Sequence, residues 1–145
     1  MKIRKAKLDD VEIMFEIEKN SGYPLEKYFT SKEHFTKMVK EGFAFILENE
    51  MGFSVLFENK KFSDGIELDD ICVLKSEHRK GYGKMLLEHS IKFAKDKEYN
   101  KIYVYCWNKN FEALTFYKKN GFYVVTEDKG HYSGGETALV LVKDL

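Results

Sequence analysis

The chain has one proline, Pro24, two cysteines, no net charge and no apolar run approaching membrane-spanning length. Each shortage excludes something. Cys72 and Cys106 each sit in an apolar run that reads as a strand, so they offer no disulfide framework and are expected as free, buried thiols. The histidines, His34, His78, His89 and His131, are scattered and have no paired cysteines to join, so no metal is expected. Twenty-four basic residues against 24 acidic ones remove the whole-chain electrostatic drive toward nucleic acid or a membrane surface, leaving only a local basic patch open. The opening Met1-Lys2-Ile3-Arg4-Lys5 leads into no apolar stretch, which predicts a cytoplasmic protein without membrane segments.

Aromatic residues are abundant, at 15% with 12 Phe and 9 Tyr, which suits a core with wide pockets and lends no weight to a single tyrosine. The 145 residues are expected to form one domain, 1–145, able to bury roughly 68–70% of the surface exposed by the unfolded chain. Ile3 to Ala6 reads as a strand, and Asp9 as the cap of a helix whose period is set by Val11, Met14, Phe15 and Glu18. Thr30 with Glu33 predicts a capping box for a second helix, ended by Gly42. Phe43 to Glu48 and Met51 to Glu58 form a hairpin pattern, Glu67 to Val73 a further strand, Tyr82 to Lys95 a helix and Ile102 to Cys106 a strand. A helix from Phe111 to Lys119, a strand from Phe122 to Thr126 and a last strand from Thr137 to Val142 complete the order. The expected fold is α+β, a mixed and mostly antiparallel sheet with a central parallel pair, flanked by helices.

Two signals stand about thirty residues apart. The first, Lys80-Gly81-Tyr82-Gly83-Lys84, follows the apolar strand residues Ile71, Cys72 and Val73 and opens a helix, so bare backbone amides and a helix N-terminus can meet an anion. A Walker loop would need Ser or Thr where Met85 stands, and a dinucleotide fingerprint a small residue where Leu86 stands. A pyrophosphate could approach Gly81 and Gly83 closely, with formal charge from Arg79, Lys80 and Lys84. The plain alternative is a solvated turn before a surface helix. The second signal begins at Asn110, carries Tyr117 two turns in and stops at Gly121 before Phe122.

Together these motifs resemble the Gcn5-related N-acetyltransferase superfamily, and the resemblance covers nearly the whole chain, its specific part running from about Glu67 to Phe122. It implies acetyl-CoA as acyl donor. It assigns coenzyme contacts to the strand backbone at Ile71, Cys72 and Val73, to the turn at His78, Arg79, Lys80, Gly81, Tyr82, Gly83 and Lys84, and to Asn110 on the pantetheine arm. His78 departs from the usual Gln or Arg at its position. Tyr117 would stand near the thioester sulfur, and Glu67 matches the strand position of the glutamate in histone-acetylating members. The stretch from His131 to Leu141 looks like the Tyr-containing end of members that acetylate protein N-termini, ribosomal proteins included, but Tyr105 and Thr137 replace the acidic residues usual there.

A lysine-like amine near pKa 10.4 is only about one part in two thousand neutral at pH 7, so deprotonation costs roughly 4.6 kcal/mol. A carboxylate, directly or through water, could take the proton; Glu67 is the first candidate, with Asp69 on the same face by alternation and Asp70 on the other unless a bulge intervenes. Backbone N–H groups near Ile71 to Val73 would meet the oxyanion, and Tyr117 would protonate the leaving thiolate. The plain readings are solvated carboxylates, an Asn110 helix cap and a core Tyr117. The expected activity is transfer of an acetyl group to a primary amine on a small molecule or peptide, with a ribosomal-protein-like N-terminal acetyltransferase as an alternative. A non-catalytic acyl-CoA-binding module on the same fold and a nucleic-acid-binding domain are the rivals from other classes. The acceptor pocket would be built from the first two helices and the Lys129 to Glu136 loop, and a homodimer is compatible with the edge strands.

Overall fold

The computed structural model describes residues 1–25 and 29–145. Among them are seven strands and four α-helices. In chain order these are β1 (Ile3–Lys5), α1 (Val11–Lys19), α2 (Lys32–Glu41), β2 (Phe43–Leu47), β3 (Gly52–Phe57), β4 (Gly65–Val73), α3 (Tyr82–Asp96), β5 (Lys101–Trp107), α4 (Phe111–Lys119), β6 (Tyr123–Asp128) and β7 (Ala138–Asp144). The strands form one sheet in the order β1-β2-β3-β4-β5-β7-β6. Every pairing is antiparallel except β4 with β5, which α3 connects as a crossover. The expected α+β architecture with its central parallel pair is therefore present.

Alternation along the strands divides the core into two layers. Ala44 and Ile46 of β2 and Phe53 and Val55 of β3 pack with Met14 and Ile17 of α1 and Phe35 and Met38 of α2. On the opposite face Leu56, Ile66, Leu68, Ile102, Val104 and Cys106 meet Leu87 and Ala94 of α3 and Leu114 and Tyr117 of α4. The sheet thus separates an α1–α2 side from an α3–α4 side. Cys72 and Cys106 are free and buried, as expected.

Local chemistry corrects two helix starts. Asp10, not Asp9, organises the entry to α1, since its carboxylate accepts the Lys7 amide at 2.7 Å and two Arg4 guanidinium N–H groups at 2.8 Å. Hydrogen bonding to Arg4 holds the Asp10 carboxyl below its ordinary range. The second helix starts at Lys32 with Ser31 as its cap, whose hydroxyl accepts the His34 amide at 3.1 Å. Thr30 is drawn away to a carboxylate on α1. Elsewhere the predicted strands and helices hold, with ends moved by one or two residues and β4 beginning at Gly65.

Candidate active site

The parallel register of β4 with β5 runs only from Gly65 opposite Lys101 to Glu67 opposite Tyr103. Both strands continue beyond that point, β4 to Val73 and β5 to Trp107, without pairing to each other. They splay, and a cleft of about 620 Å³ opens between them. In an antiparallel ladder alternate residues turn their N–H and C=O away from the partner strand. Val73 is one of these on β4, because its carbonyl accepts from His78 Nε2 at 2.9 Å while the next residue, Leu74, bonds back to Met51. Two residues earlier Ile71 has the same orientation, so β4 turns backbone donors toward the cleft where β5 no longer answers them.

On the α3–α4 side the turn before α3 frames the cleft. Arg79 and Gly81 both have left-handed backbone, with φ of 67° and 86°. The first helical return bond is from the Met85 amide to the Gly81 carbonyl at 3.0 Å, so the Tyr82, Gly83 and Lys84 amides lack helical partners. A Cβ at Gly83 would meet only ring carbons of Phe116 at 3.7 Å, an ordinary contact. Packing therefore does not ask for glycine at 83, and the bare position leaves the neighbouring amides open to close approach. The residues present fit the coenzyme: exposed Arg79 and Lys84 line the cleft with unpaired amides at a helix N-terminus, whereas exposed Lys80 is not on that lining. Lys80 is also paired with Glu77 at 3.0 Å. His78 lies on the lining, but its Nε2 ties the turn to the end of β4.

Helix α4 explains the second motif. Asn110 caps it, its Oδ1 accepting the Ala113 amide at 3.2 Å. At the other end the Phe122 amide bonds to the Tyr117 carbonyl at 3.1 Å and the Gly121 amide to that of Lys118 at 3.2 Å, with Gly121 at φ 90°. The Phe122 ring then packs on Tyr117 with centroids 5.3 Å apart. Both termini are thus fixed, and Tyr117 between them is held on the wall of the cleft. Burial, foremost, pushes its phenol well above the ordinary value, which keeps it protonated at neutral pH.

On the α1–α2 side four carboxyls line the cleft: Glu18, Glu67, Asp69 and Asp70. A bulge in β4 brings three of them together. Val55 pairs with Asp70 and Leu56 with Leu68, leaving Asp69 as the extra residue. Phe57, opposite Glu67, and Val55, opposite Asp70, belong to the same face of β3. Asp70 therefore shares the face of Glu67, and the expectation from alternation that it lies on the other face is corrected. Glu67 is buried, accepts from Asn59 Nδ2 at 2.9 Å, and has its pKa raised to about 7, by desolvation first and by Asp69 beyond that. Asp69 pairs with His34 Nε2 at 2.8 Å. Asp70 accepts from the Cys72 thiol at 3.1 Å, and burial, with Glu18 and Asp69 nearby, pushes it well above the ordinary value.

Glu18 was not singled out as a site residue in the sequence. Its Oε1 accepts the Thr30 amide at 3.0 Å and hydroxyl at 3.1 Å, which is why Thr30 does not cap α2. A signal was available, since Glu18 is the one charged residue on the stripe of Val11, Met14 and Phe15 that packs inward. Tyr23 and Tyr132, from the loops after α1 and β6, are hydrogen bonded to each other at the cleft. Tyr105 stacks on His131, with centroids 4.3 Å apart.

The chain resembles known proteins over its full length. An N-alpha-acetyltransferase of Sulfolobus acidocaldarius is 28% identical, the match covering 99% of this chain and 92% of that protein. The crystal structure of Ard1 from Thermoplasma volcanium superposes with a TM-score of 0.86 at 18% identity, covering 99% of this chain and 97% of that one. The paia N-acetyltransferase of Thermoplasma acidophilum, solved in complex with coenzyme A, gives 0.81 at 23% identity, covering 99% and 98%. At those identities the two structures show a shared fold. The model of the acetyltransferase (GNAT) family matches residues 8–122, across both motifs, the splayed strands and the glycine turn, and the chain belongs to that family as an N-acetyltransferase.

Proposed function

We infer that the protein, acting as one domain, uses acetyl-CoA to acetylate a primary amine by direct transfer, with both substrates in the cleft together. The observation that carries this reading is the position of Tyr117, a protonated phenol on the wall of a cleft with unpaired helix amides on one side and carboxyls on the other. Tyr82, Gly83 and Lys84, with Arg79 and Lys80, would hold the pyrophosphate, and Asn110 the pantetheine arm. A thioester supplies the acyl carbon that the amine attacks. Glu67 takes the amine's proton, directly or through water; a carboxyl near pKa 7 can accept one at neutral pH without holding it. Amides at Ile71 and Val73 receive oxyanion charge, and Tyr117 Oη gives its proton to the departing sulfur.

Direct transfer is favoured over a cysteine acyl-enzyme. Burial pushes the Cys106 thiol up to about 12 and Cys72 well above its ordinary value, so neither offers a thiolate at neutral pH. The Sulfolobus relative supports a peptide amino terminus as one form of the amine. Incubation with acetyl-CoA and a panel of small and peptide amines, read as free thiol, tests the proposal. Acceptor-dependent thiol release is expected; coenzyme binding with no release for any amine would overturn it.

A further inference from the structure

The four carboxyls on the α1–α2 side are not equally engaged. Asp69 is paired with His34 Nε2 at 2.8 Å, and Glu67 accepts from Asn59, with Lys61 and His34 among the groups that lower its proton affinity. Glu18 and Asp70 are left as a second acidic point. Glu18 is 5% exposed and fixed by Thr30 through Oε1, while its other oxygen, Oε2, is buried with no partner among the described residues. A carboxylate oxygen buried without a partner costs several kcal/mol in general, and such a cost is removed when a ligand supplies the donor. Among the described residues, Asp70 receives the weak Cys72 thiol and a contribution from the Ile71 amide. Glu18 and Asp70 line the same cleft, and the Glu18 charge is among the causes that raise the proton affinity of Asp70.

Resting on the acetyltransferase reading above, we propose that Glu18 and Asp70 form a subsite for a second positive charge on the acceptor, so that the amine substrate is a dication. One ammonium is positioned for deprotonation and transfer, and the other donates to Glu18 Oε2 and Asp70. The surrounding wall suits an alkyl-ammonium chain: Tyr23, Tyr132, Tyr105 and His131 present rings to the cleft, where a cation gains from aromatic faces. The second charge could be carried by an aliphatic diamine or by a lysine beside a free peptide amino terminus. The chemistry recognised is the same.

The test compares 1,4-diaminobutane with n-butylamine, and a peptide having lysine as its second residue with the same peptide having norleucine there. Wild-type protein is expected to favour at least one dication over its matched monocation by roughly tenfold to hundredfold in kcat/KM, the scale of a charge-assisted hydrogen bond out of bulk water. Which pair shows the preference identifies the source of the second charge. Glu18→Gln keeps the Thr30 bonds through its carbonyl and should bring that ratio close to one, as should Asp70→Asn, with the change in KM for the dication. Thermal upshift by the preferred dication without coenzyme should fall in parallel. Equal kcat/KM for dication and monocation in both pairs would overturn the subsite, as would a preference that survives in the Glu18→Gln, Asp70→Asn double variant. A fall in kcat shared equally by dication and monocation would assign the pair to proton transfer instead and also overturn it. Failure of every amine to release thiol would instead overturn the acetyltransferase reading on which the subsite rests.

Discussion

Across the splayed strands the cleft has two walls built on opposite principles. On the α3–α4 side the proposed binding groups are backbone amides at the start of α3, with Arg79 and Lys84 on the same lining. On the α1–α2 side they are side-chain carboxyls, contributed by α1 at Glu18 and by one bulge at Glu67, Asp69 and Asp70. A backbone site tolerates few residue types, because Gly81 adopts φ of 86° and a ligand at the amides would need Gly83 bare, so it writes itself into a short contiguous motif. A side-chain site assembled from separate elements writes no motif at all. On the proposed function, the first wall would hold the donor and the second the acceptor.

Tyr117 stands between the walls, and its removal is the sharpest way to separate them. Tyr117→Phe keeps the ring that packs on Phe122 but removes the proton donor. General acid catalysis is worth typically 10²–10⁴-fold, so turnover should fall on roughly that scale while acetyl-CoA affinity moves little. Steady-state kinetics and coenzyme titration on one preparation check this. Turnover within a few-fold of wild type, with lowered stability, would make Tyr117 a core residue only.

Glu67→Gln acts on the acceptor wall alone. A carboxyl whose folded pKa is about 7, against an ordinary 4.5, binds its proton more tightly when folded. Stability is thus lost as pH rises from about 4.5 through 7, by about 3 kcal/mol in all. Glutamine can keep the Asn59 bond through its carbonyl, so the variant should equal wild type in urea unfolding at pH 4 and exceed it by up to that amount at pH 8. Its turnover should drop at neutral pH and recover as pH approaches the acceptor's own pKa. A mutant-to-wild-type rate ratio that stays flat with pH would move the base to Asp69, Asp70 or water.

Gly83→Val tests the opposite wall. The valine Cβ would meet only Phe116, at 3.7 Å, so the fold should stand, but its side chain would obstruct the approach to the amides. Coenzyme at a hundred times its Kd stabilises a protein by about 2.7 kcal/mol, and that thermal upshift should disappear. An unchanged upshift in a folded variant would show that the turn is not the phosphate site.

The same contrast explains what the sequence disclosed. Strand alternation and helix period made the order of elements readable, and the Asn110 to Phe122 motif could be read because both ends of α4 are local hydrogen-bonded caps. The Asp70 face could not be read by alternation, since a bulge is one extra residue in β4 set by its pairing to β3. Glu18 escaped because its role depends on Thr30, twelve residues away, and on β4. Thr30 was misplaced for the same reason: a capping-box pattern is local, and a buried carboxylate from α1 competed successfully for its hydroxyl.

The smallest expected effect lies where the two kinds of wall meet, at Asn110. Its Oδ1 caps α4, and among the described residues no acceptor meets its Nδ2, although the residue lines the cleft. A ligand contact through Nδ2 would therefore use a different atom from the cap. Aspartate caps a helix about as well as asparagine, whereas alanine costs typically about 1 kcal/mol. Asn110→Asp should accordingly leave the denaturant midpoint near wild type while replacing the donor with a carboxylate, weakening acetyl-CoA binding. Asn110→Ala should lose both stability and affinity. Measured together, the two variants separate the roles: affinity that follows stability, falling in Asn110→Ala and holding in Asn110→Asp, would mean that Asn110 serves the coenzyme only by holding the start of α4 in place.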